Sequence, residues 1–189
     1  HETGTAIQMA IQSDGAPVIG DPDRPFPVVE FLDYRCVHCA PMARLIDEAI
    51  GHDPDIKILL RPVYIGDEDS LKIASLVLAV EKQKSGATES LHRAIMALSE
   101  IPTYDIVLQL AAQQGLNIVQ AEKDATGQQK IVVHNTRLME KIGFSSVPAM
   151  IIGDRGYMPF DQIPGVNEFL LMVVDAKTRL HVLKSPPSE

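Results

Sequence analysis

Residues 28–39 have the sequence VVEFLDYRCVHC, in which an apolar run gives way to the two cysteines of the chain, Cys36 and Cys39. The apolar run predicts a strand buried on both faces, and the residues after it have helical spacing. Cysteines at the first turn of a helix lie beside unpaired backbone N–H groups and the positive end of the helix dipole, which stabilise a thiolate. Two cysteines separated by two residues at such a turn therefore indicate a redox-active dithiol.

Three other uses of the cysteine pair compete with redox chemistry. A structural disulfide closing so short a loop would contribute only about 2 kcal/mol to stability. A zinc finger would need a second histidine soon after His52, but the required positions hold Ile56, Lys57 and Ile58. A Cu(I) site stays open, because two thiolates suit a soft ion, although Met42 is the one candidate methionine close by in sequence.

Composition indicates one compact unit. The protein has 189 residues, of which 46% are hydrophobic, enough for one domain or one domain with an insertion. No apolar run reaches the ~18 residues that span a bilayer. A net charge of -8 disfavours nucleic acid and anionic membrane surfaces as partners. Polypeptides and small molecules remain as candidate partners.

The hydrophobic pattern predicts two α/β parts separated by helices. Strand, helix and strand at 28–34, 36–50 and 56–64 predict a βαβ unit with parallel strands. Four helical stretches without a strand follow, at 70–84, 88–98, 103–114 and 117–126. A longer helix, a hairpin and a final helix complete the order, at 128–142, 149–159 and 166–180.

This order resembles the thioredoxin fold as the DsbA-like family elaborates it, an α/β fold with an inserted all-helical subdomain. Residues 28–39 resemble the strand and active-site turn of that family, and residues 146–150, SVPAM, resemble its cis-proline loop. Residues 18–34 and the helices of 69–127 are more similar to the branch that includes the Com1 and ScsC-type periplasmic proteins. The resemblance implies four segments: 16–65, the first part of the thioredoxin fold; 66–127, the inserted subdomain; 128–183, the second part; and 184–189, a tail. Residues 1–15 form an N-terminal segment that is expected to be tag-derived or truncated, because residues 1–5, HETGT, resemble the stub of an expression tag.

The resemblance also implies roles for the residues of the dithiol turn. Cys36 matches the exposed nucleophile and Cys39 the buried resolving thiol. His38 matches a histidine that many DsbA-like enzymes carry between the cysteines, where an imidazole lowers the pKa of the Cys36 thiol. Val37 stands where proline is common, which leaves the redox potential open.

Three residues outside the turn complete the predicted site. Glu30 matches the acidic residue beneath the active site, and a carboxyl in an apolar strand should have a raised pKa and relay a proton for Cys39. The alternative is a glutamate that faces water at a strand edge. Val147 and Pro148, together with Val37, are expected to contact substrate, because a cis-proline loop presents backbone to which an extended substrate can pair.

The predicted function is that of a protein thiol-disulfide oxidoreductase, which forms disulfides in substrates through mixed disulfides. A disulfide isomerase or reductase would use the same residues, and a Cu(I)-binding periplasmic protein is the remaining alternative. The resemblance implies folding proteins as substrates, a membrane redox partner that reoxidises or reduces the dithiol, and no cofactor. A periplasmic location after removal of a signal peptide, and a homo-oligomer formed through the N-terminal region, are further expectations.

Overall fold

A five-stranded mixed sheet forms the centre of the computed structural model, which describes residues 2–12, 14–157 and 162–184. The strands are β1 Val18–Ile19, β2 Phe26–Leu32, β3 Ile56–Pro62, β4 Ala149–Ile152 and β5 Arg155–Tyr157. Their order across the sheet is β1-β3-β2-β4-β5. The central strand β2 pairs in parallel with β3 and antiparallel with β4.

Helices cover both faces of the sheet. They are α1 Glu2–Ile11, α2 Cys39–His52, α3 Glu68–Ala79, α4 Ala87–Met96, α5 Tyr104–Gln113, α6 Ile118–Ile142 and α7 Val166–Lys184, with a 3-10 turn at Val80–Lys82 after α3. One face carries Val28 and Leu32, which pack in a core with α2, α7 and the inserted helices. Val29 and Phe31 point to the other face, which α1 and the end of α6 cover. Because side chains alternate along a strand, Glu30 lies on the α2 face.

The helical part of the chain differs from the prediction in its boundaries. The stretches predicted as two helices, 117–126 and 128–142, form the single helix α6. Gly127, which lies between the two predicted stretches, is inside that helix, and there is open space where a Cβ would lie. The predicted helix starts at Thr103 and Asn117 are confirmed, because each side chain accepts a hydrogen bond from a backbone N–H three residues later.

The N-terminal residues contain two elements that the sequence pattern did not predict. Helix α1 packs against the sheet through Ala6 and Ala10, which are buried. Arg61, itself buried in β3, donates hydrogen bonds to the carbonyl oxygens of Ala10 and Gln12 and forms an ion pair with Asp14. Arg61 thus satisfies carbonyl groups at the end of α1 and fixes the helix to the sheet. The second element is β1, an edge strand of two residues.

The end of the chain matches the predicted order. The turn between β4 and β5 is shorter than predicted, because Arg155 and Gly156 pair with β4. The predicted continuation of the return strand at Met158 and Pro159, and the tail after residue 184, lie outside the described residues. Across the described ranges, no helix combines the length and the hydropathy needed to cross a membrane.

Candidate active site

The two cysteines occupy different environments at the start of α2. A turn connects β2 to the helix, and in it the Cys36 N–H donates to the Asp33 carbonyl oxygen at 3.0 Å. Helix α2 therefore begins at Cys39 and not at Cys36, where the sequence pattern placed its start. Both residues are free thiols, and Cys36 is partly exposed whereas Cys39 is fully buried. The structure thus agrees with an accessible first thiol and an enclosed second one.

The turn lowers the pKa of the Cys36 thiol to about 6. The main cause is a hydrogen bond from the Cys39 side chain, and the backbone N–H groups of His38 and Cys39 and the charge of His38 act in the same direction. The same hydrogen bond, together with burial, raises the pKa of the Cys39 thiol. Reduced protein at neutral pH therefore holds a thiolate at Cys36 and a thiol at Cys39.

Glu30 lies in the middle of β2, between Leu60 and Met150 of the neighbouring strands. Its side chain is 1% exposed, and within the described part of the chain its Oε1 atom has no hydrogen-bond partner. Burial, and secondarily the charge of Asp47, raises the pKa of the Glu30 carboxyl to about 8. Glu30 also contributes to the raised pKa of the Cys39 thiol. The prediction that Glu30 is buried is confirmed, and its role in proton transfer stays a prediction.

The loop before β4 brings Val147 to the dithiol. Sγ of Cys36 lies 3.5 Å from the Val147 carbonyl oxygen, a contact in which the protonated thiol donates a hydrogen bond. The Val147-Pro148 peptide bond is cis, and Pro148 is buried. Val37 is 59% exposed beside the cysteines. Cys36 and Val147, which are 111 positions apart in the sequence, are therefore neighbours in the fold.

A notch of about 250 Å³ beside Cys36 was not predicted. It is lined by Asp33, Arg35, Cys36, Ile65, Asp67, Ser70, Ser145, Ser146 and Val147. The buried Asp33 carboxylate accepts hydrogen bonds from the Ser70 hydroxyl and the Ile65 N–H. Arg35 forms an ion pair with Asp67, at the start of α3. These contacts fix the dithiol turn to the inserted helices, and the one sequence signal for them is a pair of charges directly after a buried strand.

A buried hydrogen bond below the turn was also missed. The Tyr34 hydroxyl lies 3.0 Å from Nδ1 of His92 in α4, and the two rings meet edge to face. Both residues are almost fully buried. Burial, and secondarily the charge of Arg93, lowers the pKa of His92 to about 3, so the imidazole is neutral. No local pattern could have shown this pair, because its members are 58 positions apart.

The methionine considered for Cu(I) does not lie at the surface of the site. Met42 is fully buried in the core between α2 and the sheet. Within the described ranges, no cluster of three or more histidine, cysteine, aspartate and glutamate side chains is arranged to hold a metal ion.

Comparison with known proteins agrees with this geometry. A family model described as thioredoxin, Thioredoxin_4, matches residues 12–168. The chain belongs to the thioredoxin family. Its fold is DsbA-like, with the inserted helical subdomain, and its structural neighbours include ScsC-type proteins, as predicted. No match was found among curated proteins.

Three solved structures illustrate the similarity within the thioredoxin family. A thioredoxin-like oxidoreductase from Silicibacter pomeroyi DSS-3 is 26% identical, with a TM-score of 0.81 over 89% of this chain and 96% of that chain. The catalytic domain of Proteus mirabilis ScsC is 22% identical, with a TM-score of 0.81 over 93% and 98%. The thiol-disulfide exchange protein alpha-DsbA2 from Wolbachia pipientis is 24% identical, with a TM-score of 0.78 over 92% and 95%.

Proposed function

We propose that this protein is a protein thiol-disulfide oxidoreductase that donates a Cys36-Cys39 disulfide to folding substrates. The observation that carries the proposal is the inequality of the two thiols. Cys36 is accessible and has a thiol pKa of about 6, whereas Cys39 is fully buried and its pKa is raised. A thiol of low pKa is a good leaving group, so a mixed disulfide at Cys36 exchanges readily.

The proposed reaction begins with the oxidised protein. A substrate thiolate attacks Sγ of Cys36, which forms a mixed disulfide and releases Cys39 as a thiolate. Protonated Glu30 gives its proton to that thiolate. A second substrate thiolate then attacks the substrate sulfur of the mixed disulfide, which releases Cys36 as a thiolate and leaves a disulfide in the substrate. Two electrons pass from the substrate to the dithiol, and a redox partner removes them to restore the disulfide.

Two features support the oxidising direction. A stabilised Cys36 thiolate favours the reduced form of the protein and so makes its disulfide a better oxidant. Glu30, with a carboxyl pKa of about 8, is mostly protonated at neutral pH and is ready to act as an acid towards Cys39. An isomerase or reductase would need the same residues but a partner that keeps the dithiol reduced.

We propose that the substrate lies against Val147 and Pro148. The distance of 3.5 Å between Sγ of Cys36 and the Val147 carbonyl oxygen supports this placement, because this backbone faces the reactive sulfur. Val37 and Ile65 add exposed apolar surface, which unfolded chains can contact. An oxidising compartment such as the periplasm fits the proposed reaction, because disulfides persist there.

The reduction potential of the dithiol tests the proposed direction. Equilibration with glutathione buffers should give a potential above about -200 mV, and a value near about -270 mV would assign the protein to the reductases. Mixing oxidised protein with a reduced two-cysteine peptide should yield one peptide disulfide per protein. Cys36→Ala is the matched control, and transfer by this variant would contradict the proposed nucleophile.

Stopped-flow kinetics tests the proposed role of Glu30. With reduced protein and a disulfide substrate, Cys36 attacks first and Cys39 then resolves the mixed disulfide. Glu30→Gln should slow resolution by roughly 100-fold, the usual size of a general acid-base contribution, and leave the first attack unchanged. Equal slowing of both steps, or of neither, would remove Glu30 from the proposed reaction.

A further inference from the structure

A cavity of about 290 Å³ separates α2 from α4 and reaches Glu30. The lining residues are Ile19, Glu30, Ala43, Arg44, Ile46, Asp47, His92, Arg93, Met96 and Ala97. We call this space the α2–α4 cavity. It is large enough for several water molecules, and its polar lining groups could hold them.

The lining of the α2–α4 cavity changes from buried to exposed along its depth. Glu30 and His92, at 1% and 4% exposure, belong to its buried part. Arg44, Asp47 and Arg93 are exposed and form its rim. The cavity therefore leads from solvent to a carboxyl whose Oε1 atom has no partner in the described part of the chain. A buried polar atom without a partner beside a cavity is a position at which water binds.

An ion pair crosses the rim between the two helices. Arg93 of α4 pairs with Asp47 of α2 and with Glu89 of its own helix. The Arg93 and Asp47 side chains are 41% and 48% exposed, so their pairing contributes little free energy and can open without unfolding the protein. The cavity is thus closed at its rim by a weak ion pair.

We propose that the α2–α4 cavity is the path by which Glu30 exchanges its proton with solvent, with the Asp47-Arg93 pair as its gate. This inference rests on the proposed function, in which Glu30 is the proton partner of Cys39. Each oxidising turnover transfers one proton from Glu30 to Cys39 and leaves Glu30 ionised, and reoxidation of the dithiol returns a proton from Cys39 to Glu30. While the dithiol stays reduced, Glu30, with a carboxyl pKa of about 8, takes up a proton from solvent at neutral pH and must release it before it can accept the Cys39 proton. Cys39 is fully buried and does not exchange its proton with bulk solvent directly.

The charged and titratable groups around Glu30 agree with such a path. From α2 it faces Asp47, Arg44 and Cys39, from α4 it faces His92 and Arg93, and Tyr34 approaches from the dithiol turn. Tyr34 and His92 are hydrogen-bonded to each other. Among the described residues around Glu30, the exposed ones line the α2–α4 cavity, so the cavity connects Glu30 to solvent. The inserted subdomain, through α4, therefore sets how fast the buried carboxyl equilibrates.

The test measures exchange at Glu30 directly. The carbonyl stretch of the protonated carboxyl, identified by its loss in Glu30→Gln, shifts when D2O replaces H2O, and rapid-mixing infrared spectroscopy gives the rate. Ala97→Phe places a large side chain at the rim from an exposed position, and Ala112→Phe makes the same change at an exposed position of α5 outside the cavity. Ala97→Phe should slow exchange by about tenfold or more, because exchange must then wait for local opening. Ala112→Phe should match the wild type.

A second variant tests the gate in the opposite direction. Arg93→Gln removes the charge that links α4 to Asp47, and it should accelerate exchange by up to about fivefold. Wild-type exchange in both Ala97→Phe and Arg93→Gln would overturn the proposal. The alkylation rate of Cys36 should not change in either variant, which shows that the dithiol turn is intact.

The result separates failure of this path from failure of the proposed function. If the path is wrong, Ala97→Phe exchanges like its control while Glu30→Gln still slows resolution by Cys39. If Glu30 is not the proton partner of Cys39, Ala97→Phe still slows exchange while Glu30→Gln leaves resolution at the wild-type rate.

Discussion

Glu30→Gln should stabilise the reduced protein, and the gain should grow as pH rises. The Glu30 carboxyl has a pKa of about 8 in the fold against 4.5 in the unfolded chain, mainly because burial disfavours its charged form. Between these values the folded protein holds a proton that the unfolded chain has released. The free energy of unfolding of the wild type therefore falls as pH rises through this window. Glutamine has a similar shape and does not titrate.

The magnitude follows from the two pKa values. Each pH unit inside the window changes the free energy of unfolding by about 1.4 kcal/mol. The advantage of Glu30→Gln over the wild type should therefore grow by about 2.5 kcal/mol between pH 5 and pH 7, and level off above pH 8 at about 5 kcal/mol in total. Changes in packing or hydrogen bonding by the amide add a constant offset. The growth with pH, and not the offset, reports the buried carboxyl.

Urea unfolding of reduced protein at pH 5, 6, 7 and 8 measures this difference. Titration of Cys36 occurs in both proteins and cancels in the comparison. Glu48→Gln makes the same substitution at an exposed position of α2 and is the matched control. A constant difference between Glu30→Gln and the wild type from pH 5 to pH 8 would show that Glu30 ionises as it does in water. That result would also remove the reason for giving Glu30 a role in proton transfer at neutral pH.

Three further predictions concern the dithiol and its support. Cys36→Ala should abolish disulfide exchange whereas Cys39→Ala should accumulate mixed disulfides, and mass spectrometry that finds equal adducts through Cys39 in Cys36→Ala would reverse the assignment. The thiolate absorbance of Cys36 should titrate with a midpoint of about 6, and His38→Ala should raise that midpoint; an unchanged midpoint would assign the shift to the Cys39 side chain and the backbone N–H groups. Tyr34→Phe should lower the free energy of unfolding by about 1 to 3 kcal/mol, because Nδ1 of buried His92 loses its partner. The same substitution in a His92→Phe background should cost much less, and equal costs in both backgrounds would mean that the hydrogen bond contributes nothing.

Much of the fold could be predicted because its signals are local. The apolar runs before Cys36 and near Leu60 predict strands by their own pattern. The capping residues Thr103 and Asn117 predict helix starts in the same local way. The missed elements depend on partners distant in sequence. Strand β1 has two residues and exists because it pairs with β3, and α1 is held by contacts with Arg61. A pattern search within one window contains neither partner.

The candidate site divides in the same way. Cys36 and Cys39 are adjacent to the turn that activates them, so their spacing already indicates their chemistry. The burial of Glu30 could be predicted because both neighbours of the strand position are apolar. The residues that surround its carboxyl on the other side could not, since Asp47 comes from α2 and His92 from α4. Asp47 and His92 come close to Glu30 because of helix packing, which no local sequence pattern indicates.

The positions of Cys36 and Glu30 meet opposite electrostatic requirements within a few residues. A thiolate needs backbone N–H groups and access to solvent, which the start of α2 provides at Cys36. A carboxyl that keeps its proton at neutral pH needs the interior, which the middle of β2 provides at Glu30. One strand and one turn supply both environments, and on the proposed path the enclosed carboxyl exchanges its proton with solvent through the gap between α2 and α4. The packing of α4 against α2 should therefore change the rate of proton exchange at Glu30 while leaving the reactivity of Cys36 as it is.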